Sequence, residues 1–390
     1  MRDGHALCTN SRGGYAQMRA SWAEVKSQYD AFLAANLHPE VPIDRQVMLT
    51  RFRVWVVNRG YSQELNVDSL LSFSRDENGV VCWQFDIPVG MGCTIPMVAQ
   101  LQMVEGENKI FLKFKRLGCS ESFNVDDCLG DEKDVQLIVR PDIENRNCHE
   151  KTKAFIGPEK RFPESIQVKK SGFIFTGNPG LKLDVESSKG DFVQESEWKY
   201  MLHHPFEEQR GLESNSDLFS PGYFSFSLTA DDEVLVTAAI KPDKPGRLMK
   251  KSSADNSSQL CLSILKHAIS DFIVQRDEHT TVIAGYPWFL DWGRDTLICL
   301  RGIISAGFIE EAKDILVQFA KFEKGGTIPN MIRGEDDSNR DTSDAPLWLC
   351  VASRELYEHD PSILEVKCDN RTLKQVLIDL EYGYHILLPK

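Results

Sequence analysis

Two short stretches carry most of the side chains able to do chemistry: AGYPWFLDWGRD at 284–295 and NMIRGEDDSNRDTSDAPLWL at 330–349. They gather Trp288, Trp292 and Trp348 with Arg294, Arg340, Asp291, Asp295, Asp341 and Asp344. Flat apolar rings beside planar charged groups suit a sugar ring. An aromatic face covers its C–H side, while carboxylates and guanidinium groups hold its hydroxyls in paired hydrogen bonds. A competing reading uses the same residues as two helix N-termini with acidic caps and buried tryptophans.

The elements that must position these residues are helical. A helix is predicted from Asp295, carrying Ile298, Arg301 and Ile304 and ending at Gly307. Another covers 309–322 with Ala312, Ile315, Leu316 and Phe319 inward, and a third opens near Ser343 or Asp344 with Pro346 in its first turn. A last one spans 371–387. Ahead of them Leu260, Ile264, Ala268 and Phe272, flanked by Leu265, Ile269 and Ile273, form one apolar stripe. Arg301 reads as an ion-pair partner, Asp295 as a cap or a ligand, and Trp348 as core or pocket wall.

Upstream the period shortens to that of strands. VMLTRFRVWVV (47–57), VVCWQFDI (80–87), KIFLKFKRL (109–117), VQLIVR (135–140), FSFSL (224–228) and EVLVTAAI (233–240) alternate between turn-rich clusters. KIFLKFKRL sets Ile110, Leu112 and Phe114 on one face against lysines on the other. An early helix is predicted over 21–35 (SWAEVKSQYDAFLAA), and KPDKPGRLMKKSS (241–253) reads as a linker. The fold class is α+β and multidomain: an antiparallel β-sandwich domain over 1–240, a linker over 241–254 and a helical domain over 255–390.

GYPWFLDWGRDTLICLRG and GGTIPNMIRGEDDSNRDTSDAPLWL resemble the start of the glucosidase domain of glycogen debranching enzymes. TNSRGGYAQ (9–17), YDAFLAANLHPEVPIDR (29–45), VRPDIENR (139–146) and SDLFSPGYF (216–224) resemble the β-rich domain that precedes it in bacterial members. The WGRD stretch alone is shared with glucoamylases. The resemblance implies that the helices open an (α/α)6 toroid, of which only about five helices are in view, so the chain is expected to stop inside that domain. It implies inverting hydrolysis of α-1,6-linked glucosyl branch points in the intact protein. The acid and base are expected beyond Lys390, with Asp295 and Asp344 as fallback candidates. The implied glucosyl-binding set is Trp288, Trp292, Arg294, Asp295, Asn330, Arg340, Asp341, Asp344 and Trp348. The expected partner is an α-glucan (glycogen or limit dextrin), with no cofactor and no metal. The alternatives are a glucan-binding but non-catalytic fragment and a glucoamylase-like enzyme.

Composition narrows the field from outside. Lysine and arginine number 45 against 58 acidic residues, a net charge of −13, which disfavours nucleic acid or an anionic membrane as partner. Ten cysteines are scattered without a C-x-x-C pair; Cys261, Cys299 and Cys350 sit in apolar contexts and read as buried free thiols of a reducing, cytoplasmic protein. No apolar run reaches membrane-spanning length, and the opening residues lack the apolar core of a signal peptide. His203–His204 has no third ligand at metal spacing, Gly13–Gly14 leads to no P-loop, and no G-x-S-x-G occurs. Glu335–Asp337 reads as a solvated loop.

Overall fold

Sixteen strands follow one another through the first part of the chain in the computed structural model, which describes residues 4–38, 40–76, 78–177, 180–241 and 260–387. They are β1 (His5–Thr9), β2 (Tyr15–Arg19), β3 (Ala31–Asn36), β4 (Arg45–Asn58), β5 (Tyr61–Glu64), β6 (Leu70–Arg75), β7 (Val81–Pro88) and β8 (Thr94–Met103). Then come β9 (Lys109–Arg116), β10 (Val135–Asn147), β11 (Ile166–Lys169), β12 (Gly172–Thr176), β13 (Lys182–Ser187), β14 (Asp191–His203), β15 (Asn215–Leu228) and β16 (Glu233–Lys241). Two short helices, α1 (Pro158–Glu164) and α2 (Pro205–Gln209), interrupt them.

These strands form two antiparallel eight-stranded sheets. One runs β1-β2-β3-β4-β10-β15-β14, with β5 paired to β4; the other runs β11-β12-β13-β16-β9-β8-β7-β6. Alternation decides the second sheet: Ile110, Leu112 and Phe114 of β9 are fully buried while Lys109, Lys113 and Lys115 lie on the outer face. The inner faces share one core, centred on Trp22, whose ring lies 5.0 Å from Trp83 of β7, 5.8 Å from Phe32 of β3 and 5.7 Å from Phe114 of β9. Such edge-on aromatic pairs add to the stabilisation that area burial provides.

In the first sheet β2, β3 and the middle stretches of β4, β10 and β15 are buried on both faces, and the second face is polar. Asp142 accepts from Arg51 Nε at 2.7 Å and from the Arg53 fork at 2.9 and 2.7 Å. Glu144 takes Arg146 Nε at 2.6 Å and Thr50 Oγ1 at 2.6 Å. Charges this deep are tolerated because each carboxylate oxygen meets a donor.

Residues 21–35 correct the expectation of a helix: 21–30 are turns and bends, and Ala31–Asn36 is a fully buried strand between β2 and β4. Asp30 holds the backbone N–H groups of Lys26 and Ser27 at 2.8 and 3.0 Å and takes Arg19 Nε at 3.0 Å. Those local bonds replace the helical ones, and pairing in the sheet outweighs helix propensity. Two cysteine expectations also change. Cys119 is disulfide-bonded to Cys128, and Cys350 is exposed.

The expected linker 241–254 lies outside the described residues apart from Lys241. The chain divides into two compact units: Pro245–Lys390, joined by Ser11–Gly13 and His38–Ile43, makes up the second. Here α3 (Leu260–Ser270) leads into a hairpin of β17 (Ile273–Arg276) and β18 (His279–Val282). Then follow α4 (Gly293–Ser305), α5 (Ile309–Lys321), α6 (Ala345–His359) and α7 (Leu373–Leu387). Leu297, Leu300, Ile315, Phe319, Leu349, Leu356, Val376 and Leu380 meet in one core. The stripe on α3 is only partly used: Ile269 and Phe272 pack against that core, while Leu262, Ile264 and Leu265 stay exposed. No helix among the described residues is long and apolar enough to cross a membrane.

Candidate functional site

Two loops precede α4 and α6, and backbone pairing brings them together. Gly293 N–H donates to Asn330 O at 2.9 Å, Ile332 N–H to Asp291 O at 3.3 Å, and Trp292 faces Met331 in an antiparallel bridge. Asn330 N–H donates in turn to Asn339 O at 2.8 Å, so 291–293, 330–332 and 339 lie side by side. Gly293 permits this approach. A Cβ placed on it would sit 2.0 Å from the carbonyl oxygen of Pro329, where no side chain fits.

The aromatic residues ride on the first loop. Backbone bonds from Trp288 and Phe289 to Gly285 O, both 2.9 Å, and from Ala284 to Leu290 O, 2.9 Å, fold it into a tight turn. Trp288 and Phe289 expose 47% and 48% of their surface, and the Phe289 ring stands edge-on to Trp292 at 5.6 Å. A tied-down turn thus holds both rings half-exposed at the surface. Phe289 is not among the residues expected at the site; its place inside the AGYPWFLDWGRD motif is the sequence signal for it.

The aspartates of the two motifs have different environments. Asp291 is fully buried and bonded to Arg276 Nη1 at 2.7 Å; burial pushes its carboxyl up to about 6 against the pull of that guanidinium. Asp344, at the N-cap of α6, makes no capping bond. It accepts instead from Thr342 Oγ1 at 2.8 Å and Trp348 Nε1 at 3.3 Å, and pairs with Arg294 Nε at 3.1 Å. The Thr342 hydroxyl, then the Trp348 indole and the Arg294 charge, hold its carboxyl below the usual range, so it stays anionic. Trp348 packs against the helical core, the structural one of its two expected roles, while its indole N–H serves Asp344.

Asp295 lies in the exposed first turn of α4 and makes no hydrogen bond or ion pair among the described residues. The N-cap of that helix is Trp292, so Asp295 is not the cap, although a negative charge there is favoured by the helix dipole. The side chains of Asn330 and exposed Asp341 are likewise without such partners among the described residues.

Arg340 is placed differently from the rest of the expected set. Its Nη1 donates to Thr327 O at 3.1 Å and Thr327 Oγ1 at 3.0 Å, its Nη2 to Phe322 O at 2.9 Å and Asp337 Oδ2 at 2.7 Å. That guanidinium braces its own loop. Asp337, also held by Lys324 at 2.6 Å, completes the brace, whereas Glu335 and Asp336 are exposed. Arg301 pairs with Glu355 at 2.6 Å, tying α4 to α6 as an ion-pair partner. The arrangement therefore offers three aromatic rings, an Arg294–Asp344 pair, a free carboxylate on Asp295 and the amide of Asn330.

Fold and site together define a mixed α/β protein built on large antiparallel sheets, with paired loops rich in aromatic and acidic residues in its helical unit. The chain belongs to the glycogen debranching enzyme family: the model described as "Glycogen debranching enzyme N terminal" matches residues 5–235, and that described as "Amylo-alpha-1,6-glucosidase" matches 267–385. Among solved structures it is similar to a bacterial glucoamylase complexed with acarbose, at 10% identity and a TM-score of 0.48, covering 100% of this chain. It spans 59% of that glucoamylase. It is also similar to a GalM/aldose epimerase homologue from C. elegans (7% identity, TM-score 0.33, covering 61% of this chain and 98% of that one). A GH92 α-mannosidase from Bacteroides thetaiotaomicron matches at 10% identity and a TM-score of 0.33, covering 98% of this chain and 63% of that one.

Proposed function

We propose that the helical unit supplies the glucosyl-binding half of an amylo-α-1,6-glucosidase site, acting on α-1,6-linked branch points of glycogen or limit dextrin with inversion. In this reading residues 1–240 are the β-sandwich domain, 241–254 the linker and 255–390 the opening helices of an (α/α)6 toroid. The observation that carries it is the pairing of the 291–293 and 330–332 segments inside the region matched by the amylo-α-1,6-glucosidase model, which sets Trp292 opposite Met331 and Gly293 against Asn330 at the start of the helix that carries Asp295. Trp288, Phe289 and Trp292 cover the apolar face of the terminal glucose. Asp295, Asn330, Asp341 and the Arg294–Asp344 pair take its hydroxyls, with each charge-assisted bond contributing about 1.5–3 kcal/mol.

Hydrolysis needs one carboxyl that arrives protonated and one that activates water. Asp344 is held anionic by three partners and Asp291 is sealed from solvent beside Arg276. Residues 1–390 on their own are therefore inferred to bind glucan without turning it over. The test pairs two assays on this chain: tryptophan fluorescence titration with malto-oligosaccharide, and glucose release from a branched limit dextrin. Millimolar binding that Trp292→Ala weakens, with no glucose released, is expected. Glucose release abolished by Asp295→Ala or Asp344→Ala would make one of those carboxylates the general acid and overturn the division of labour.

A further inference from the structure

A buried arginine outside both motifs holds them together. Arg276, at the end of β17, is 1% exposed. Its Nη1 donates to Asp291 Oδ2 at 2.7 Å, its Nη2 to the carbonyl oxygen of Gly334, and its guanidinium carbon lies 5.6 Å from the centre of the Phe322 ring. One planar fork thus touches the loop before α4 and the loop before α6, on either side of the pairing between Gly293 and Asn330. Asp291 is next in sequence to Trp292, and its own carbonyl receives Ile332 N–H. The hairpin that carries Arg276 is itself tied down on both sides: Gln275 N–H donates to Ser11 O at 2.8 Å and Asp277 N–H to Glu40 O at 2.7 Å. Ser11 and Glu40 belong to the short N-terminal segments that cluster with the second unit.

We propose that Arg276 is a positioning residue for the sugar site, fixing the register of the 291–293 segment against 330–334 and through it the placement of Trp292 and Asn330. The proposal rests on the glucan reading above only for the identity of the ligand. Arg276 touches no substrate. It acts through Asp291 on one loop and the Gly334 carbonyl on the other, and only a two-pronged planar cation reaches both at once. Lysine keeps the charge but can satisfy only one of the two loops well. The N-terminal residues Ser11 and Glu40 act one step further back by seating the hairpin.

The test uses this chain with Arg276→Lys, Arg276→Met and Asp291→Asn, and two independent readouts. The first is amide hydrogen exchange at Gly293 and Ile332, whose N–H groups make the bonds between the loops, with amides inside α5 as internal reference. In Arg276→Lys their exchange is expected to speed up at least tenfold while the α5 amides keep their rates. The second is malto-oligosaccharide affinity by tryptophan fluorescence, expected to weaken about tenfold or more in Arg276→Lys. Asp291→Asn should add little to the loss in the Arg276→Met background, where the Arg276–Asp291 bond is already gone, and should cost less alone than Arg276→Met because the bond to Gly334 O remains. Unchanged exchange at Gly293 and Ile332 in a folded Arg276→Lys protein would refute the clamp. Loosened exchange with wild-type affinity would refute its role in positioning the site. A wild-type chain that binds no malto-oligosaccharide would refute the glucan reading, and the exchange experiment would still decide the clamp. If Arg276→Met fails to fold, Arg276→Lys carries the test.

Discussion

The same substitution at two glycines of α4 should act with opposite sign. At Gly302, exposed in the last turn, an added Cβ meets nothing within 4 Å. Alanine there should stabilise the helical unit by about 0.5–1 kcal/mol, the usual difference in helix propensity. At Gly293 the Cβ would lie 2.0 Å from Pro329 O and 3.2 Å from Pro329 C, so one segment must retreat by more than an ångström. That movement strains or breaks the Gly293–Asn330 and Ile332–Asp291 bonds, each contributing about 0.5–1.5 kcal/mol. Overpacking adds about 1–3 kcal/mol. The net loss for Gly293→Ala comes to about 2–5 kcal/mol, several times the propensity gain. Trp292 moves with the segment, and a misplacement of that size is expected to weaken malto-oligosaccharide binding about tenfold to a hundredfold. Scanning calorimetry of both variants, followed by fluorescence titration, checks the two halves. Equal signs at the two glycines, or a Gly293→Ala protein that binds sugar as tightly as wild type, would refute the reasoning that the loop pairing builds the site.

Asp295→Asn, which removes a charge without a partner among the described residues, should weaken sugar binding about tenfold to a hundredfold while leaving thermal stability unchanged; a lowered melting temperature with unchanged binding would return Asp295 to a structural role. Arg340→Met should do the reverse, because its bonds go to Thr327, Phe322 and Asp337: the loop loosens, seen as faster proteolysis within 324–341, and binding falls only as a consequence. Between β14 and α2, burial pushes His204 down from 6.5 to about 4, beside Ser216 Oγ at 2.6 Å and with the charges of Glu144, Arg146, Lys151 and Asp30 around it. The unfolded chain therefore binds the proton more readily than the folded one. The stabilisation is complete above pH 6.5 and is lost as pH falls through 4, about 3 kcal/mol in all. Denaturant unfolding from pH 7 to 4 should show that slope in wild type and a flatter one in His204→Gln; identical slopes would mean that another group carries it.

The strands and helices were legible because burial follows a simple period in them. β9 alternates residue by residue, and α5 buries Ala312, Ile315, Leu316 and Phe319 as its spacing requires. Where the period is ambiguous, tertiary context decided. Residues 21–35 carry helix formers, but Asp30 satisfies the local backbone and the AFLAA run is enclosed between strands, a use that only pairing partners far along the chain can reveal. The disulfide at Cys119–Cys128 was equally invisible, because nine residues of separation are compatible with two free thiols as readily as with a bond.

Within the site, the motifs named the loops but not the division of labour in them. Asp291, Asp295 and Asp344 look alike in sequence. One is sealed against a buried arginine, one at a helix start has no hydrogen bond or ion pair from its side chain among the described residues, and one is engaged by three donors. What separates them is the partner each side chain has among the described residues: Arg276 for Asp291, no hydrogen bond or ion pair for Asp295, and Arg294 with the nearby Thr342 and Trp348 for Asp344. Arg276 sits in IVQRDEHTTV, a hairpin with no sugar-site signature, and its role follows only from the two loops its fork reaches. Aromatic residues and aspartates mark where the proposed sugar site is built. The glycine and the arginine that set the distance between its walls carry no mark of their own, and for that reason Gly293 and Arg276 are the positions where substitution tests the site without touching the sugar.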